Sequence, residues 1–313
     1  METIGSYAVV IPVAAGEEEV ERAADLLDSL WAHESPPARV VLVDDAPRDR
    51  GLTRRLNLPA GCDAISLVCP RRGRGDALLG GKCVNVLAAY REIWHRGPVD
   101  FVLKLETDSL VIGPYRRAIE RALAAGSGVG LVGTVGRTCN RADEHYGFES
   151  HSRPRFLKLL DTMRRTRPEA LPGESSEQLA ALIALRQPIE RAVAFGYRTL
   201  EYCQGGAYAL SYQVLDRMAG LGYLTNPRLW TTLPFAEDVM MGMYTRATGA
   251  RIADLSADGQ PFGNQWRGLA QAPAELLRRG YGIIHSVRDD AQHPEAVIRA
   301  YFADLRRSEQ RAA

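Results

Sequence analysis

Short, unbroken apolar runs recur along this chain, each followed by a stretch with helical periodicity, and few architectures satisfy that alternation. "YAVVIPV" at 7–13 reads as a buried strand. "EEEVERAADLLDSLWAH" follows, placing Val20, Ala23, Ala24, Leu27, Leu30 and Trp31 on one helical face with three Glu at its positive N-terminal end. "ARVVLVDDA" (38–46) and "DAISLVCP" (63–70) read as the second and third strands. The loop "RRGRGDALLGGK" then opens a helix carrying Cys83, Leu87, Tyr90 and Trp94, which stops at "HRGP". "DFVLKLETDSLVIG" (100–113) reads as the fourth strand and "GVGLVGTV" (128–135) as another. Strands that are apolar throughout must be covered on both faces, so the pattern predicts an α/β fold with a mostly parallel sheet flanked by helices.

The alternation loosens over 138–200, which is polar, Arg-rich and helical in places, and is expected to be an insertion beside the sheet. It tightens again into "EYCQGGAYALS", a helix over 212–219, and a helix opening near "PFAEDVMMGMYTRATG" with Val239, Met243 and Ala247 in phase. "ARIADLS" reads as a further strand, and "YGIIHSVR" places His285 after an apolar run. The expected organisation is one catalytic domain over 1–313, with a donor-binding half (1–137), the helical insertion (138–200) and an acceptor-side half (201–313).

The net charge of +1 gives no global field to recruit nucleic acid or an anionic membrane. No run of 18 apolar residues is present, so no membrane span is expected, and no basic, signal-like segment precedes the first strand. The five Cys include no C-x-x-C pair and read as reduced thiols, which together point to a cytoplasmic protein.

In open sheets of this kind ligands bind beyond the carboxyl ends of the strands. Two acidic pairs fall there. Glu106 and Asp108 interrupt an otherwise buried run, and on a strand residues i and i+2 share a face. Hard oxygen ligands one residue apart suit Mg²⁺ or Mn²⁺; two solvated acids at a strand end are the plainer reading. Asp44-Asp45 offers acceptors for a ribose hydroxyl or a base N–H, yet serves equally as a turn or cap. Arg71, Arg72, Arg74 and Lys82, set among glycines beside a helix N-terminus, form a plausible diphosphate environment without matching a dinucleotide or P-loop motif. Glu237-Asp238 opens a helix, where the dipole explains one acid better than two adjacent ones. A general base is the functional reading. His285, being a lone histidine, reads as structural by itself.

Taken in order, "VVIPV", "VVLVDDA", the basic loop, "FVLKLETDSLVI", "CQGGAYALS", "EDVMMG" and "HSV" resemble a nucleotide-sugar glycosyltransferase of the Rossmann-like GT-A fold, in particular the inverting beta-1,3-galactosyltransferase-like and family-2-like group. The resemblance implies a metal-dependent enzyme moving a sugar from a nucleoside-diphosphate sugar, most simply a UDP-sugar, to a hydroxyl. It places Asp108 and His285 on Mn²⁺ or Mg²⁺, with Glu106 near the metal or the ribose. Asp44 or Asp45 would meet the nucleoside, Arg74, Lys82 and Lys104 would join the donor site, and Gly205 and Gly206 would allow close approach of sugar or acceptor. Asp238 would be the catalytic base and Glu237 its companion. One departure matters: the first acid of the D-x-D-like motif is Glu106, one methylene longer. Without the membrane anchor of Golgi relatives, the expected acceptor is soluble, a natural product for example, with 138–200 and "GNQWRG" (263–268) as its wall or lid. A sugar nucleotidyltransferase and an idle sugar-nucleotide-binding protein are the alternatives.

Overall fold

The computed structural model describes residues 6–69, 81–124, 126–135, 176–197, 201–232, 236–288 and 292–312. The loop holding Arg71, Arg72 and Arg74, and residues 138–175 of the expected insertion, lie outside them.

Four strands run parallel side by side: β1 (Tyr7–Val13), β2 (Arg39–Asp44), β3 (Asp63–Val68) and β4 (Phe101–Leu105). Alternate side chains of β1 and β2 enter different cores. Ala8, Val10, Val41 and Val43 pack on one face, and Tyr7, Val9, Ile11, Val40 and Leu42 on the other. That two-sided burial is why these strands lack polar alternation. The sheet continues through β7 (Cys203–Ser211), β6 (Val129–Val135) and β8 (Arg251–Asp254), giving seven strands in the order β3-β2-β1-β4-β7-β6-β8. Only β7 is reversed, pairing antiparallel with both β4 and β6. The mixed, mostly parallel α/β sheet is the expected one.

Helices α1 (Glu17–His33), α2 (Leu52–Arg55), α3 (Gly81–Arg96), α4 (Arg116–Leu123), α5 (Ser176–Ala194), α6 (Tyr212–Gly220), α7 (Glu237–Ala247), α8 (Pro273–Arg278) and α9 (Glu295–Ala312) complete the described elements, with a 3₁₀ turn at Pro227–Thr232. α3, α5, α6 and α7 cover one face of the sheet, and α1 and α4 the other. None of the described helices is long and apolar enough to cross a membrane. Cys62, Cys69, Cys83 and Cys203 are free thiols.

The fourth strand differs from expectation. It is not continuous over 100–113 but stops at Leu105. Residues 106–109 form a turn closed by the Ser109 N–H on the Glu106 carbonyl (3.0 Å). Leu110–Val111 (β5) then joins a second, three-stranded sheet in the order β5-β10-β9, with β9 Phe262–Asn264 and β10 Ile283–His285. Glu106 and Asp108 therefore sit on a turn between two sheets rather than on one strand face. Two adjacent charges gain nothing from a strand interior, whereas a turn lets each carboxylate find its own partners.

Candidate active site

The acidic turn and the start of α7 meet at the same two residues of β7. The Gly206 carbonyl accepts from the Glu106 N–H (2.9 Å) and the Ser109 hydroxyl (3.0 Å), tying the turn to the strand. On Gly206 there is no room for a side chain: a Cβ would lie 2.1 Å from Cγ of the His285 ring. A Cβ on Gly205 would lie 3.3 Å from Oε2 of Glu237 and 3.6 Å from Oδ2 of Asp238. The glycine pair thus admits His285 on one side and the α7 acids on the other.

His285 arrives from β10. Its Nδ1 faces the Gln265 carbonyl at 2.7 Å, which fixes a proton on Nδ1 and leaves Nε2 facing the acids. Nε2 lies 3.2 Å from Oδ1 of Asp108 and 3.8 Å from Oε2 of Glu106. One ligand atom from each of Glu106, Asp108 and His285 lies within 4.8 Å of the others. Two hard carboxylates and one imidazole with its second nitrogen already hydrogen-bonded form a donor set that fits Mn²⁺ or Mg²⁺.

Each carboxylate is also held from behind. The Oδ2 of Asp108 accepts from the Ser286 hydroxyl (2.8 Å) and from Nε of Arg288 (2.7 Å), so Oδ1 is the oxygen turned toward His285. Arg288 is itself braced by Glu19 of α1 at 3.2 Å. Glu106 receives Lys104 at 2.9 Å and Lys82 at 3.1 Å. Lys104 is fully buried, and it also contacts the Gly205 carbonyl and lies 3.4 Å from Oε2 of Glu237. The counter-charge inside the site is therefore largely this lysine, two residues before the acid it serves.

These cations decide protonation. Burial alone would raise the Glu106 carboxyl, but Lys104 and then Lys82 outweigh it and hold it down at about 2. Burial likewise opposes ionisation of Asp108, yet His285 and Arg288 keep it well below the usual range. On α7 the balance reverses. Burial raises Glu237, with only partial relief from Lys104 and the Tyr208 hydroxyl that donates to it. Burial, then the Glu237 charge, push Asp238 up to about 7 despite the hydrogen bond from the Val239 N–H (2.8 Å). The helix dipole would favour the charged form, so at this N-terminus desolvation wins.

At the end of β2 the two aspartates part company. Asp44 is buried and saturated, accepting from the Ala46 and Arg50 N–H groups and paired with the Arg50 guanidinium at 2.7 Å. Asp45 is also buried, and its Oδ1 has no hydrogen-bond partner. Trp266, directly after the Gln265 that holds His285, is 56% exposed, with the Arg267 guanidinium 4.8 Å from its ring centre.

Of the residues singled out in the sequence, Lys82, Lys104, Glu106, Asp108, Gly205, Gly206, Glu237, Asp238 and His285 converge. Asp44 and Asp45 stand at the end of β2, and Arg74 lies outside the described residues. Sequence reasoning missed Ser286, Arg288, Glu19, Tyr208 and the Gln265 carbonyl. Ser286 and Arg288 lie within a motif already noted, "HSVR", but nothing in the spacing ties them to an acid 178 and 180 positions earlier.

No protein-family model and no curated protein matches the chain. Among solved structures it is similar to the mannosyltransferase PcManGT from Pyrobaculum calidifontis in complex with GDP-Man and Mn²⁺, at 15% identity and a TM-score of 0.42, over 99% of this chain and 65% of that one. The chain thus spans just under two thirds of that protein's length. So distant a likeness carries no argument about chemistry, which rests on the residues above.

Proposed function

We propose that this protein is a metal-dependent, inverting glycosyltransferase of the GT-A type, moving a sugar from a nucleoside-diphosphate sugar, most simply a UDP-sugar, to a hydroxyl of a soluble acceptor. The observation that carries the reading is the convergence of two acid pairs on one glycine pair, the first lowered by its cations and the second raised by burial. Glu106 and Asp108 are held ionised beside His285, while Asp238 is poised near neutrality on α7.

A divalent ion held by Asp108, His285 and Glu106 would supply Lewis-acid and charge stabilisation to the donor diphosphate. Lys82, half-exposed beside Glu106, adds a cation at the same place. Asp45, with its unpartnered Oδ1, is the better candidate than the saturated Asp44 for a nucleoside donor group. The acceptor hydroxyl attacks the anomeric carbon as its proton passes to the Asp238 carboxylate. The new carbon–oxygen bond forms on the face opposite the breaking carbon–phosphate-oxygen bond, and the nucleoside diphosphate departs with that electron pair. A carboxylate base contributes roughly 10²–10⁴-fold, positioning and charge supplying the rest. Glu237 serves as the buried counter-charge to Lys104. Residues 1–137 form the donor half and 201–313 the acceptor and catalytic half, with Trp266 on the acceptor wall.

A thermal-shift panel of UDP, GDP, ADP, CMP and dTDP, each with Mn²⁺ and with chelator, tests this. A nucleotide at 100 times its Kd adds about 2.7 kcal/mol, a shift of a few degrees. One nucleotide should stabilise the chain only with metal, and not in Asp108→Ala. No response to any nucleotide would sink the reading. Release of pyrophosphate rather than nucleoside diphosphate would replace it with nucleotidyl transfer.

A further inference from the structure

The acidic turn is gripped from three sides. Gly206 holds it from the sheet. The segment after β10 holds it through Ser286, Arg288 and the Val287 N–H, which donates to the Asp108 carbonyl at 2.7 Å. The third grip closes on Thr107, the buried residue between the two acids. Its hydroxyl donates to Oε2 of Glu19 in the first turn of α1, and its carbonyl accepts from the Arg299 guanidinium of α9 at 3.3 Å.

These two contacts are the ends of one closed ring. Oε1 of Glu19 accepts from Arg22 at 2.6 Å, and Arg22 forks onto the two oxygens of Glu295 at 2.7 and 2.6 Å. Arg299 donates to the same Glu295 at 2.7 Å, and its own guanidinium returns to the Thr107 carbonyl. The side chains of Glu19, Arg22, Glu295 and Arg299 are at most 19% exposed. A bidentate, shielded network of this kind is far stiffer than an exposed ion pair. Glu19 also accepts from Arg288 at 3.2 Å, so it touches both the residue between the acids and the cation behind Asp108. Meanwhile α9 has an apolar seat of its own, with Ile298 and Phe302 buried in the cluster that holds Leu110, Leu276 and Ile284. The helix is docked by that face, and its charged face reaches the turn.

We infer that Glu19 and Arg299 are positioning residues for the metal site. By holding Thr107 through its hydroxyl and its carbonyl, they set the separation and aim of Glu106 and Asp108 without being ligands themselves. The inference rests on the metal-dependent reading of the site.

Mn²⁺ alone, titrated into full-length proteins by calorimetry, tests it beside their Tm values. The native chain should bind one ion saturably, and Asp108→Ala should not. Thr107→Val, which removes the hydroxyl and no charge, should bind Mn²⁺ about 10-fold more weakly, and Thr107→Ser should return within twofold of native. Arg299→Met should also weaken binding about 10-fold. Loss of a cation by itself would tighten Mn²⁺ binding, so the sign separates positioning from charge. Arg306→Met removes a pair with Asp25 outside the ring. It should lower Tm while Mn²⁺ affinity stays within twofold, which separates positioning from general loss of stability. Native affinity in Thr107→Val and Arg299→Met would overturn the inference and leave the metal reading standing. Failure of the native chain to bind Mn²⁺ would overturn both.

Discussion

The turn at 106–109 and the N-terminus of α7 each present two carboxylates to the same glycine pair, yet their surroundings shift the two pairs in opposite directions. Around Glu106 and Asp108 stand Lys104, Lys82, His285 and Arg288, and both acids are driven below their ordinary range. Around Glu237 and Asp238 the only cation within ion-pairing distance among the described residues is Lys104, on Glu237, and both acids are raised. Residue type is the same in both places; cation supply differs. Acids kept ionised are ligands in waiting, whereas one near pH 7 can take and release a proton in turnover.

The largest effect expected from breaking this contrast is at Asp238. Asp238→Asn should lower turnover about 10²–10⁴-fold while nucleotide affinity stays within twofold, read by product release and titration. Native turnover should rise with pH through a limb near 7 that the variant lacks. The linkage has a definite sign. The folded state retains a proton on Asp238 that the unfolded state gives up near pH 4, so stability should fall as pH rises from about 4 to about 7. Asp238→Asn should flatten that slope in denaturant titrations.

Next comes the lysine shared by both pairs. Lys104→Met leaves Glu106 and Glu237 facing each other without their common counter-charge and should cost about 3–5 kcal/mol. The deficit should shrink in acid, as those carboxylates take up protons.

Arg288→Ala sharpens the comparison on the ligand side alone. Asp108 would lose the contact that aims its Oδ1, and Mn²⁺ affinity should drop about 10–100-fold, measured by calorimetry, with the pH limb of Asp238 unmoved. The glycine pair differs in the same sense. Gly206→Ala drives a methyl into the His285 ring and should cost about 1–3 kcal/mol, whereas Gly205→Ala, with its nearest atom at 3.3 Å, should have the smallest effect of all.

Much of this was legible because burial writes itself into sequence. Apolar runs such as "YAVVIPV" and "VVLV" have one physical explanation, strands covered on both faces, and β1 lies where its residues predicted. The acid pairs were legible because charge inside an apolar run is costly and so draws notice. The partners that complete them were not. Arg288 and Glu19 look like ordinary surface residues until the fold brings Arg288 to Asp108 and Glu19 to Arg288. Asp44 and Asp45 are identical in sequence terms, and only Arg50, folding back over the strand end, makes one saturated and leaves the other available. The break at Leu105 was hidden because Leu110 and Val111 are as apolar as the strand before them and simply belong to another sheet.

The reversed strand β7 has a consequence for how the molecule is made. It lies between β4 and β6, though it comes after both in the chain. During synthesis the β4 edge must wait, its backbone donors and acceptors unpaired, until Cys203–Ser211 has emerged and slid into the middle of the sheet. Unpaired edges of that kind invite wrong partners. The same insertion delivers Gly205 and Gly206, so the acid pairs cannot meet before the sheet closes. A nascent or truncated chain lacking β7 would therefore be both aggregation-prone and inert, and competence would arrive in a single late step.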